Sequence, residues 1–302
     1  MASSSRPARA RKTVLALFGP TASGKTAVAG ILRERLGAEV ISADSAALYE
    51  GIPILTAAPD YPAGLVGVVP LDEDVSVGRY QQLAHEAIDR ADVPLLVGGT
   101  GLYFRAALSE LSIPPPGRRE HWQAEVDRLG PEAAHALLAE RDPAAAARIH
   151  ANDRRRVVRA LELSEAGYSL APAEDRLWTS DTRYPTTIVA LDLPLEELDR
   201  RIADRTTAMA AAGAADEAAR AWAGPLSETA RKVLGLEEFG TLALETAVER
   251  VILATRRLAR YQRKWLRRMP GVVTLDANRP PEEIAVDIVA LGRTGQHLSR
   301  HD

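Results

Sequence analysis

Eight consecutive residues, Gly19-Pro20-Thr21-Ala22-Ser23-Gly24-Lys25-Thr26, fit the phosphate-cradling pattern GxxxxGK[ST] and directly follow the apolar run Thr13-Val14-Leu15-Ala16-Leu17-Phe18. In that context a strand delivers the chain to a glycine-rich turn whose backbone N–H groups point inward, and the following helix brings its partial positive N-terminus to the same spot. Such a cradle binds a di- or triphosphate, with Lys25 as a point charge and the Thr26 hydroxyl as a holder of magnesium. By average composition the pattern arises by chance in about one chain of this length in a hundred.

A second reactive group lies shortly downstream. Asp44 ends the run Glu39–Ala43, where small-molecule kinases place the carboxylate that handles their acceptor. Asx-turn formation is the alternative for such an aspartate. A third feature, Gly98-Gly99-Thr100-Gly101, follows the apolar run Pro94–Val97. An ATP-hydrolysing machine needs an acidic residue there for magnesium and water, so its lack argues against a molecular motor. Thr21 and Thr100 are the nearest polar partners for Asp44, with ordinary turn chemistry as their other reading.

Positioning these groups takes a sheet. Ala27–Leu36 has helical spacing and ends at Gly37, Asp72–Ala91 carries an amphipathic helix, and Glu39–Ala43 and Val93–Val97 read as short buried strands. Strands alternating with helices predict an α/β, P-loop NTPase-like parallel sheet with helices on both faces and ligands beyond the carboxyl ends of the strands. Thr21, Asp44 and Thr100 share that rim. The pattern changes at Ser112-Ile113-Pro114-Pro115-Pro116-Gly117; from Arg118 to Leu170 the residues are helix formers, with Pro131 and Pro143 placed to start helices. Thr186–Leu191 is again a strand. The reading is a core of residues 13–113 and 184–302, closing with long helices and the strand Val272–Leu275, and an inserted small all-helical domain at 114–183.

Composition narrows the class. With 302 residues, 46% hydrophobic and 26% charged, the chain suits a globular enzyme. It has no cysteine, and its six histidines show no metal-ligand spacing. No apolar stretch approaches the ~20 residues of a membrane span, and residues 13–18 are too short for a signal-peptide core, so a cytoplasmic location and no membrane partner are expected. A monomer is the simpler expectation. The net charge of −3 hides three basic clusters: Met1–Lys12, read as a solvated, disordered arm; Arg154, Arg155, Arg156 and Arg159; and Arg256, Arg257, Arg260, Arg263, Lys264, Arg267 and Arg268. Such local density points to a polyanionic partner larger than one nucleotide. On a helix over 246–268, Arg256, Arg260, Arg263 and Arg267 share a face turned to phosphates, and Leu258, Tyr261 and Trp265 form an adjoining face read as core.

The ordered set of motifs resembles the bacterial tRNA dimethylallyltransferase family over nearly the whole chain. It comprises Gly19–Thr26; Ile41-Ser42-Ala43-Asp44-Ser45 with Tyr49 and Gly51; Leu96–Tyr103; Asp142-Pro143 and Ala145–His150; Asn152-Asp153; Arg159–Glu162; and Ala254-Thr255-Arg256 through Gln262, Trp265, Leu266 and Arg267. The resemblance implies transfer of a dimethylallyl group from dimethylallyl diphosphate to N6 of the adenosine 3′ of the anticodon, in tRNAs reading codons that begin with U. It implies Mg2+ at Thr26, Asp44 as general base with Lys25, Thr21 and Thr100 in the catalytic group, and the anticodon stem-loop as partner. tRNA contacts are implied at Asp44, Ser45, Ala46, Ala47 and Thr100; at Arg155, Arg156, Val157, Val158 and Arg159 in the helical domain; at Arg231, Lys232 and Gly235; and at Arg260, Arg263, Lys264, Trp265 and Arg267. The chain departs from the family in having Ala58 in place of a lysine, Leu65–Leu71 in place of a histidine-containing segment, and Leu236 in place of a tyrosine. Two other readings compete: an ATP-dependent small-molecule kinase, which leaves the arginine clusters without a role, and a non-catalytic RNA-binding protein, which leaves the phosphate loop without one.

Overall fold

The structure is a computed structural model in which residues 12–111, 117–171 and 179–298 are described. The expected basic arm therefore lies outside the described residues except for Lys12, which is tied down: its Nζ donates to the carbonyls of Asp89 (2.9 Å) and Ala91. Two compact units are present, one of residues 1–110 and 180–302, the other Leu111–Thr179.

The first unit opens with β1 (Val14–Phe18), α1 (Lys25–Leu36), β2 (Glu39–Ala43), the short helix α2 (Pro53–Thr56), β3 (Ala63–Gly64), α3 (Val77–Arg90), β4 (Pro94–Gly98) and α4 (Gly101–Leu108). The second unit holds α5 (Arg119–Leu129), α6 (Pro131–Arg141), α7 (Pro143–Ala146) and α8 (Arg154–Glu165). The chain then returns to the first unit as β5 (Thr186–Asp192), α9 (Leu195–Ala211), α10 (Ala214–Trp222), a 3₁₀ turn at Ala230–Lys232, α11 (Leu236–Thr241), α12 (Leu244–Leu266), β6 (Val272–Asp276) and α13 (Pro281–Leu298).

Among the described residues all six strands are parallel, in the order β3-β2-β4-β1-β5-β6. The central strands read as unbroken apolar runs because helices cover both faces: on one, Leu17, Val40, Leu95 and Val189 pack with Val28 and Leu32 of α1, Ile202 of α9 and Ile284 and Ile288 of α13, and on the other Phe18 meets Phe104 of α4 edge to face at 5.1 Å. Register sets the site. Phe18 and Ala43 both lie opposite Gly98, so the chain leaves β1, β2 and β4 at one level, delivering Gly19, Asp44 and Gly99 side by side. That closeness accounts for the residue type at 98, where an added Cβ would stand 2.2 Å from the Ala43 carbonyl oxygen.

Local rules account for the elements. α3 buries Tyr80, Ala84 and Ile88 at four-residue spacing and starts after its N-cap Ser76, whose hydroxyl accepts the Arg79 N–H (3.1 Å), inside the span Asp72–Ala91 expected to carry an amphipathic helix. In the helical unit Pro131 and Pro143 occupy first-turn positions of α6 and α7, and Asp142 and Asp153 cap α7 and α8 by accepting the N–H groups of Ala145 (3.0 Å) and Arg156 (3.2 Å). Trp122, Val126, Leu138, Ile149 and Leu161 form that unit's own core. Residues 180–183 belong with the sheet: the Arg183 N–H donates to Leu108 O at 2.7 Å. The sequence pattern missed α4, which starts directly after the glycine turn, and β3, whose two residues carry no periodicity.

Candidate active site

Backbone geometry makes the loop between β1 and α1. Gly24 adopts φ 88°, a left-handed conformation suited to glycine, and so turns the chain straight into α1. Lys25 bends back over the loop, its Nζ donating to Pro20 O at 2.6 Å. Burial pushes its pKa down to about 7, against the pull of nearby Asp44, while Arg205 adds to the fall. Arg205, on α9, donates to Thr21 Oγ1 (3.0 Å), and the Thr21 N–H donates to Oε1 of Gln262 (2.8 Å), a buried residue of α12. The loop is thus held from two distant helices. The Tyr61 hydroxyl donates to Thr26 O (2.9 Å). The Thr26 hydroxyl itself has no protein hydrogen bond among the described residues and lines the cavity.

That cavity, about 500 Å³, has two chemically different kinds of lining. Thr21, Gly24, Lys25, Thr26, Arg201 and Arg205 supply polar and cationic groups. Val40, Ala47, Ala57, Ala58, Pro59, Ala63, Val66 and Val97 supply apolar ones. Asp44 and Gln262 also line it.

At the rim, Asp44 Oδ1 accepts the Ala46 N–H (3.0 Å) and the Asp44 N–H donates to Ser42 Oγ (3.3 Å). The Asx-turn and the cavity-lining carboxylate are therefore one arrangement: the turn occupies Oδ1 and fixes the side chain. The next residue ties β2 to β4, since the Ser45 N–H donates to Thr100 Oγ1 at 3.3 Å and the two hydroxyls lie 3.5 Å apart. Thr21, Lys25, Asp44 and Thr100 are accordingly gathered on one rim.

The remaining expected contacts divide. Arg155 and Arg156 are exposed on α8, but Val157 and Val158, expected to contact RNA, are only 1% and 3% exposed in the helical unit's core, so their side chains are corrected to packing residues. Arg159 reaches the buried Glu162 carboxylate at 2.9 Å. Gly235 is a buried N-cap of α11 with φ 94°; Arg231 and Lys232 are exposed, the former stacked over Trp222 (5.2 Å). On α12 the expected phosphate-facing row is largely engaged within the protein: Arg263 pairs with Asp192 at 2.8 Å and is 19% exposed, and Arg256 and Arg260 converge on Asp199 at 3.7 and 3.0 Å. Arg250, Arg257 and Lys264, with Arg267 at the C-cap, are the exposed cations of this helix without an acidic partner among the described residues. The expectation that Leu258, Tyr261 and Trp265 form core is also corrected. Tyr261 is 56% exposed and Leu258 38%, because α12 packs through Val251, Ala259, Gln262 and Leu266. Trp265 alone packs inward, against Gly101, where an added Cβ would lie 2.1 Å from its ring.

Three cavity residues escape a motif search: Tyr61, Arg201 and Arg205. Arg201 and Arg205 stand one helical turn apart on α9 amid acidic neighbours, so no charge cluster marks them; Gln262 enters only as one position of the family pattern, with no role assigned to it. No group of three or more His, Asp or Glu side chains is arranged for a metal among the described residues. A divalent ion here would rest on the Thr26 hydroxyl and the ligand's own phosphates, an arrangement that suits magnesium.

The IPP transferase family profile matches residues 47–269. A tRNA dimethylallyltransferase of Anaeromyxobacter dehalogenans (strain 2CP-C) is 42% identical over 289 residues, covering 88% of this chain and 96% of the relative. One from Salinispora arenicola (strain CNS-205) is 40% identical, covering 88% and 82%. Among solved structures, the full-length tRNA isopentenylpyrophosphate transferase of Bacillus halodurans superposes with a TM-score of 0.68 at 29% identity, covering 96% of this chain and all (100%) of that one. A eukaryotic dimethylallyltransferase acting on tRNA shares the fold with a TM-score of 0.77 at 24% identity, covering 96% of this chain and 80% of that one.

Proposed function

This chain belongs to the IPP transferase family, and from that premise we propose that it is a tRNA dimethylallyltransferase, moving a dimethylallyl group from dimethylallyl diphosphate to N6 of the adenosine 3′ of the anticodon in tRNAs that read codons beginning with U. The observation that carries the reading is a cavity lined both by the cationic groups of the phosphate loop and by apolar side chains, with Asp44 beside them. A prenyl diphosphate has one half to match each lining.

The loop N–H groups, Lys25 and Arg205 receive the diphosphate, whose negative charge grows as the allylic C1–O bond breaks; fixed positive groups are therefore worth more in the transition state than before it. Magnesium held through Thr26 would add neutralising charge to the same leaving group. An adenine N6 amine is a weak nucleophile because its lone pair is delocalised into the ring. As the new N–C1 bond forms, the N6 proton passes to the Asp44 carboxylate, whose orientation the Asx-turn fixes, and diphosphate departs. Thr21 and Thr100 position the two loops. Presenting N6 to the cavity requires the base to leave the anticodon-loop stack. Exposed Arg231, Lys264 and Arg267 on the first unit, and Arg155 on the second, each suit RNA phosphates. No described helix is long and apolar enough to cross a membrane, and tRNA as substrate suits the cytoplasm.

Incubation of the purified chain with unmodified tRNA and radiolabelled dimethylallyl diphosphate, and in parallel with labelled ATP, tests this. Label enters RNA from the prenyl donor alone; transfer from ATP to a small molecule with no prenylation overturns it.

A further inference from the structure

Part of the cavity's apolar lining is a wall segment whose backbone is strained. Among the described residues three non-glycine positions have positive φ: Ala22 (63°) in the phosphate loop, and Ala57 (46°) and Leu65 (62°), which bracket the wall segment. A residue with a Cβ disfavours that conformation, and it persists only where the surroundings impose it.

Two tethers hold the segment near its first strained position. Glu217 of α10 is 3% exposed, and its carboxylate accepts the Ile54 N–H (3.0 Å) and the Leu55 N–H (2.8 Å) at the start of α2, immediately before Ala57. It has no cationic partner among the described residues, so these two backbone groups are what stabilise a buried negative charge. At the far side of the segment, Tyr61 donates its hydroxyl to Thr26 O at 2.9 Å, packs against Gly30 and lies beneath the Arg33 guanidinium (5.9 Å). Between the tethers the lining is Ala57, Ala58 and Pro59, followed by Ala63. These side chains are too short to set the depth of the pocket by their bulk; the position of the backbone sets it.

We propose that Glu217 and Tyr61 are positioning residues that hold this wall where it admits a five-carbon allylic chain and turns away longer ones, so that donor chain length is selected by two tethers on a strained segment. The proposal rests on the prenyl-donor reading of the cavity. In Glu217→Gln one backbone N–H faces an NH2 donor in place of an acceptor, and the segment is freed to relax outward. Tyr61→Phe keeps the ring and removes only the O–H···O bond.

The test measures kcat and KM for the full chain with unmodified tRNA and either dimethylallyl or geranyl diphosphate, in wild type, E217Q and Y61F, with thermal unfolding to confirm that each variant folds. Wild type strongly prefers the five-carbon donor. E217Q raises the KM for that donor by about tenfold, the effect of one lost charge-assisted hydrogen bond, lowers kcat less, keeps the tRNA KM within about twofold and narrows the five- to ten-carbon preference by about tenfold. Y61F moves the preference in the same direction by a smaller factor and decides the matter alone should E217Q not fold. An unchanged preference in the folded variants, or a wild type that uses both donors equally, overturns the tether role. A wild type that transfers no five-carbon group instead overturns the functional reading on which the proposal stands.

Discussion

The cavity beside the phosphate loop and the basic helix α12 are both rich in cations, yet they are built in opposite ways. At the loop, burial and the cations are directed at a ligand: Lys25 is held at about 7 with Asp44 as its main favourable charge. On α12, three of the arginines are engaged by Asp192 and Asp199, and the cations left for a partner are exposed. Charge that is buried beside a cavity acts on chemistry; charge that is paired across helices holds those helices in place; only unpaired, solvated charge is available to RNA.

The largest break in that comparison comes from Asp44→Asn. Keeping the shape and removing proton acceptance lowers kcat by about 10²–10⁴ with tRNA affinity retained; single-turnover kinetics beside a filter-binding titration measures both, and near-normal turnover ends the general-base role. Lys25→Met follows, with donor affinity and transfer both reduced, by about 10² in kcat/KM if one well-placed cation is lost. Its pH behaviour sharpens the point. Because Lys25 loses its proton near 7 in the free protein and a diphosphate favours the charged form, donor affinity falls as pH rises above about 7 and binding takes up a proton there, visible by calorimetry in buffers of different ionisation enthalpy. The stability sign is opposite to that of a salt-bridged lysine. The folded pKa, about 7, lies below the ordinary 10.5, so the burial penalty is full below pH 7 and is relieved as pH rises from 7 towards 10.5. Lys25→Met therefore raises the melting temperature more at about pH 6 than at about pH 9; an equal gain at both contradicts the lowered pKa.

On α12 the comparison predicts two different losses. Arg263→Ala strands Asp192 and destabilises the fold by about 1–3 kcal/mol, discounted for the partial exposure of the pair, while the salt dependence of tRNA binding stays as in wild type. Lys264→Ala leaves the melting temperature alone and lowers the slope of log affinity against log salt by about 0.7–0.9. Exchange of these two phenotypes would make Arg263 the phosphate ligand and Lys264 the structural one.

The same contrast explains what the sequence made legible. The loop, Asp44 and Thr100 follow from local patterns: a strand, a turn and a helix start within thirty residues or fewer, and the parallel register then brings their ends together. Arg205 and Gln262 reach Thr21 from 184 and 241 residues away in sequence, and nothing local marks them. The arginine row of α12 misled for the same reason, since its helical phase is visible in the sequence and its partners Asp192 and Asp199 are not. Tyr261 and Leu258 looked like core by type, but their buried neighbours Ala259 and Gln262 define the packed face. Glu217, a carboxylate among alanines, carries no signal of its burial at all.

The most direct test of the account is the mass of the adenosine 3′ of the anticodon, recovered from tRNA treated with the purified chain and dimethylallyl diphosphate without any nucleotide. The account predicts a nucleoside heavier by one C5H8 unit, formed by wild type and nearly lost in Asp44→Asn. An unaltered adenosine, with the donor left intact by a folded, tRNA-bound protein, would contradict it.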